Sequence, residues 1–103
     1  MGRKSMMELV RAGRRDSFGP GYFITWDVDS TDRRTVDRVR QFVFGHRVQA
    51  HGRTYVYPGF VVRPGARYLA QSALFVRADL RDEICGFLSG LGVDYESMPA
   101  TIG

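Results

Sequence analysis

YFITWDVDSTDRRTVDRVRQFVFG, residues 22–45, carries both periodicities that decide the fold. Tyr22, Ile24, Trp26 and Val28 share one parity, and Phe23, Thr25 and Asp27 the other. A strand here buries the first set and shows Asp27 on its opposite face. Beyond it, Val36, Val39 and Val43 recur at spacings of three and four, with Phe42 beside them, which predicts a helix with one apolar stripe. Arg33, Arg34, Arg38 and Arg40 fill much of its polar remainder. At the junction, Asp29 or Ser30 is placed to cap the helix, with Asp32 completing a capping-box-like start. Asp27 and Asp29 form a strand-end carboxylate pair of the type that holds a hard cation near phosphate.

Working outward, Gly45 stops the helix, since glycine enters left-handed backbone at little cost. His46 and His51 follow with a separation that completes no familiar zinc pattern. TYVYPGFVVR, residues 54–63, reads as an edge strand, or two short strands joined by a bulge or turn, because Pro58 lacks a ladder donor. YLAQSALFV, residues 68–76, reads as one central strand. Asp79 is placed to cap a second helix whose buried face is Leu80, Ile84, Phe87, Leu88 and Leu91. Gly86 weakens that helix and is expected where helix and sheet approach closely. Val93 to Ser97 can form a short last strand.

The resulting order is β-α-β-β-α-β. Two helices on one face of a four-stranded antiparallel sheet make an α+β, ferredoxin-like sandwich. The expected organisation is a basic flexible tail over 1–21, a domain over 22–98 and a flexible end over 99–103. A chain of 103 residues supports one hydrophobic core, and 44% hydrophobic with 13% aromatic residues marks a folded body rather than a disordered one.

Fifteen Lys and Arg against eleven Asp and Glu give a net charge of +4, which favours a polyanionic partner. Lys4 is the only lysine. Arginine pairs phosphate oxygens bidentately, although genome base composition alone can produce the same bias. DNA or RNA is therefore the expected partner. The contacts would be Arg3, Lys4, Arg11, Arg14 and Arg15 in the tail and Arg33, Arg34, Arg38 and Arg40 on the first helix. Cys85 is the single cysteine, so no internal disulfide forms, and a cytoplasmic location is expected. No apolar run reaches membrane length, so insertion is not expected.

Residues 22–49 resemble the small CRISPR-associated Cas2 family. Tyr22 to Asp27 resembles its first strand, DVDSTDRR at 27–34 its acidic turn into an arginine-rich helix, and FGHRVQ at 44–49 the segment after that helix. The resemblance implies a ferredoxin-like homodimer. It also implies either metal-dependent nuclease activity, with strand-end aspartates opposed across the dimer axis, or support of DNA integration without hydrolysis. It carries metal binding to Asp27 and phosphate or structural contact to Arg33 and Arg34. Past residue 49 it ends: Ala50, His51, Gly52 and Arg53 stand where the family continues into a strand.

The element order also resembles an RNA-recognition domain, which stacks bases on sheet aromatics; Phe23, Tyr55, Tyr57 and Phe75 are the candidates. Three functions follow. The first is a homodimeric nucleic-acid-binding protein of architectural or accessory role, which requires no cofactor. The second is a nuclease using Asp27 as catalytic ligand, assisted by Asp29, with Mg²⁺ or Mn²⁺. The third is a protein-complex module using exposed aromatics.

Overall fold

The computed structural model describes residues 7–8 and 19–102. Residues 7–8 are helical, and over residues 19–102 the elements follow in the order β1 (Gly19–Asp27), α1 (Arg33–Phe44), β2 (Gly45–Ala50), β3 (Arg53–Pro58), the 3-10 turn Phe60–Val62, β4 (Ala66–Ala70), β5 (Ala73–Val76), α2 (Ala78–Gly90) and β6 (Asp94–Ile102). Four strands form an antiparallel sheet in the order β4-β5-β1-β6, while β2 and β3 pair only with each other. Set that hairpin aside, and the fold is the α+β ferredoxin-like sandwich, with the hairpin inserted between α1 and the second sheet strand.

The alternation in β1 works as read. Ile24 is fully buried, and Tyr22 and Trp26 pack on the same core. Register places Leu74 opposite Ile24 and Val76 opposite Tyr22, with Tyr68 and Ala66 opposite those in turn, so one sheet face is apolar throughout. Val39 and Val43 of α1 and Leu80, Ile84, Cys85 and Leu88 of α2 close over it. Phe42 ties the helices together, stacked on Phe87 at 3.8 Å between centroids and on Phe60 at 5.3 Å.

Several expectations need correction. Asp32, rather than Asp29 or Ser30, caps α1: its carboxylate accepts from the Thr35 amide at 3.2 Å and the Thr35 hydroxyl at 2.8 Å. The cap position of α2 is Arg77, whose side chain makes no capping hydrogen bond to the helix, and Asp79 lies in the first turn. Residues 68–76 are two strands, because Ser72 takes a φ of 63° and turns β4 back as β5. The sheet begins at Gly19 and ends at Ile102, with Pro99 opposite Tyr22, so residues 99–102 are paired strand rather than a loose end. Proline is tolerated there because β6 is an edge strand. Gly21, which reads as a chain breaker, lies inside β1: a Cβ on it would meet Val76 O at 2.3 Å and Phe75 Cζ at 2.6 Å, so glycine is required for that close approach. Gly86 is the reverse case, exposed with nothing near its absent Cβ.

Candidate functional site

Gly45 ends α1 at a φ of 83° and sends the chain straight into β2. The return from β3 crosses the helix end at Gly59, whose Cβ would stand 2.4 Å from Val43 O and from Phe44 C. A Cβ on Gly45 would in turn meet Gly59 N at 2.7 Å. This two-glycine crossing roots the β2–β3 hairpin against α1. His51 and Gly52, with φ of 53° and 73°, make its tip, a pair of positive angles that suits the twist of a tight hairpin.

Every residue of β3 is exposed. One face of the arm carries His46, Val48, Tyr55 and Tyr57, and the other Arg47, Gln49, Thr54 and Val56, by strand alternation and register. The His46 ring stacks on Tyr57 at 4.8 Å. Val56, Tyr57 and Tyr55 are 62%, 51% and 42% exposed, an apolar surface that a two-stranded ribbon has no core to cover.

Arg33, Arg34, Arg38 and Arg40 are all exposed on α1, as the sequence implied, and Arg47 and Arg53 add to them from the arm. Among the described residues none of these six is held by an ion pair, whereas Arg63 is bound to Glu83 at 2.7 Å and Arg81 approaches Asp82 at 3.5 Å. That bond to Glu83 raises the Arg63 pKa further. Arg40 stands between two concavities. One, of about 560 Å³, lies under the arm beside Gln41, Arg47, Val56 and Val62. The other, of about 500 Å³, lies between the end of β1, α1 and the β4–β5 turn.

Sequence reading missed the arm. A signal for it was present: from Arg38 to Ala78 there is no Asp or Glu, while Arg38, Arg40, Arg47, Arg53, Arg63, Arg67 and Arg77 all fall in that interval. The tail cations Arg3, Lys4, Arg11, Arg14 and Arg15 lie outside the described residues.

The acidic candidates separate. Asp27 is exposed on the sheet face away from the helices, directly opposite Asp94, with Glu96 opposite Thr25 on the same face. Asp29 is engaged locally: the Thr31 hydroxyl donates to it at 2.7 Å and the Thr31 amide at 2.9 Å, and these bonds hold its carboxyl below the usual 3.8. Among the described residues no group of three or more His, Cys, Asp or Glu is arranged to hold a metal. Burial raises the pKa of Cys85. The expected base-stacking aromatics also divide. Phe75 is fully buried and meets Phe23 edge-on at 6.0 Å, so its ring is closed to a base, whereas Tyr55 and Tyr57 leave the sheet altogether and ride on the arm.

No protein family, curated protein or solved structure matched this chain. No helix among the described residues is long and apolar enough to cross a membrane.

Proposed function

We propose that the protein binds nucleic acid, with the β2–β3 arm and the adjoining arginine face of α1 as the contact surface. The observation that carries this is the arm itself: an exposed ribbon without a carboxylate, bearing Tyr55, Tyr57, Arg47 and Arg53 beside Arg40. A purely apolar partner surface would leave those guanidinium groups desolvated and unpaired, which is costly. A strand of nucleic acid satisfies both kinds of side chain, phosphates taking the arginines and base faces the tyrosines. Asp32 at the cap of α1 and Asp37 within it limit how far the phosphate track extends along the helix.

The test is a titration of single- and double-stranded DNA and RNA at two ionic strengths, with the wild type and an R40A/R47A/R53A variant. Binding should weaken with salt, and the variant should show a salt slope smaller by roughly 2 to 3, since each lost phosphate contact removes about 0.7–0.9. Absence of binding to all four at low salt rejects the reading. The arm's two open edges give a rival outcome, pairing with a second copy. A concentration-dependent mass that vanishes on shortening the arm, without nucleic-acid binding, would establish it instead.

A further inference from the structure

The cavity between β1, α1 and the β4–β5 turn contains a feature that the arm does not explain. Tyr68 lines it, is only 2% exposed, and carries a buried hydroxyl with no hydrogen-bond partner. Burial has pushed that phenol above its usual 10.0, so it is a proton donor throughout the physiological range. A buried hydroxyl without a partner is a cost the fold carries, and an acceptor brought in by a ligand removes it.

The rest of the lining narrows the ligand. Trp26 and Phe44 supply aromatic wall, and Val36, Val39 and Val43 aliphatic wall. Asp27, Ser30, Gln71 and Ser72 add polar groups at several points, which a simple hydrocarbon chain would leave unsatisfied. Arg33 and Arg40, two helical turns apart on one face of α1, border the same space and favour an anionic group. The volume of about 500 Å³ lies within the roughly 300–1,000 Å³ usual for small-ligand sites.

We infer that this cavity is a nucleotide site. It takes the planar ring of one unpaired nucleotide, with the Tyr68 hydroxyl donating to a ring acceptor and Arg33 and Arg40 holding phosphate. Ser30, Gln71 and Ser72 border the same space and offer hydrogen bonds to the edge of the ring. The ligand is either a free nucleotide or one unpaired residue of a bound strand. The second case rests on the nucleic-acid reading above; the first does not.

Titration of the full chain with the four ribonucleoside monophosphates, and with a short single strand either intact or carrying one abasic site, separates these cases. At least one monophosphate should saturate the wild type. Tyr68→Phe should weaken that binding about fivefold, the range of one neutral hydrogen bond, while thermal unfolding stays unchanged or moves upward. An abasic site that weakens strand binding supports the strand source, and monophosphate binding with no strand binding supports the free-nucleotide source while removing the arm reading. Equal monophosphate affinity of wild type and Y68F overturns the inference. So does failure of every monophosphate together with indifference to the abasic site, and salt-sensitive binding of the intact strand would then leave the arm reading standing alone.

Discussion

The sandwich and the arm are built from the same residue types and use them in opposite ways. In the sandwich, one face of each strand is sealed by two helices, and Ile24, Leu74, Val76, Ile84 and Leu88 have no exposed surface. In the arm, tyrosine and valine alternate just as regularly, yet every residue of β3 faces water. Strand periodicity therefore signals strand, not burial; whether an apolar position is covered depends on what the topology places over it. A ribbon that buries so little cannot stabilise itself, so its geometry has to be imposed at the root.

The sharpest way to break that contrast is at the root. Gly59→Ala introduces a Cβ within 2.4 Å of backbone atoms of Val43 and Phe44, which cannot swing aside as a side chain would. It should destabilise the whole domain by about 3 kcal/mol, the upper range for an overpacked site, in denaturant unfolding. A cost near zero would mean that the arm is not fixed against α1.

Next in size is removal of the arm without its root. Replacing residues 47–56 by an Asn-Gly turn keeps His46 and Tyr57 paired and leaves the buried core untouched. The unfolding midpoint should stay close to wild type while affinity for nucleic acid drops by about tenfold or more at low salt, two arginines and one tyrosine having been lost. Retained affinity would place the binding surface elsewhere. A collapse of stability would show that the arm supports the sandwich after all.

These two variants also mark where the sequence was readable. The sandwich was legible because Ile24, Trp26, Val39 and Val43 obey the periods of buried elements, and Leu80, Ile84 and Leu88 do so again in α2. The arm was not, because nothing in residues 46–57 shows which sheet their strands join, and Pro58 argued for an edge strand of the main sheet. The turn at Ser72 was hidden for a different reason: a positive φ at a non-glycine residue has no sequence signature, so two strands read as one. Gly21 read as a breaker because its reason for being glycine, the Phe75 ring lying over it, comes from 54 positions away in the chain. In the candidate site, the arginines of α1 were found from helical spacing, whereas the Tyr68 cavity depends on three elements meeting and leaves no local pattern.

The sandwich itself contains one position that its packing does not use. Gly86 lies inside α2, is exposed, and an added Cβ meets nothing within 4 Å. Gly86→Ala should therefore stabilise the protein by about 1 kcal/mol through the helix backbone alone. The gain should appear in unfolding and be absent from nucleic-acid titrations, which separates scaffold from contact surface. A destabilised variant would reveal a partner on that helix face.

The smallest expected effect is at Asp27, and it separates a bystander charge from a metal ligand. Asp27 stands directly opposite Asp94 across β1 and β6, and like charges in that relation oppose each other. Both are solvent-exposed, so screening reduces the repulsion. Asp27→Asn should thus raise stability by about 0.3 kcal/mol at low salt, and the gain should fade as salt is added. A bound divalent cation would reverse the sign. With Mg²⁺ or Mn²⁺ held between the two carboxylates, wild type would gain stability by mass action and the variant would not. Unfolding of both proteins with and without each ion reads this directly, alongside cleavage of DNA and RNA by the same samples. A variant that is more stable in every condition, with no cleavage by either protein, leaves Asp27 as a solvent-exposed charge at the end of β1. Ion-dependent stability in wild type alone, together with cleavage that the variant loses, would make it the metal ligand of a nuclease.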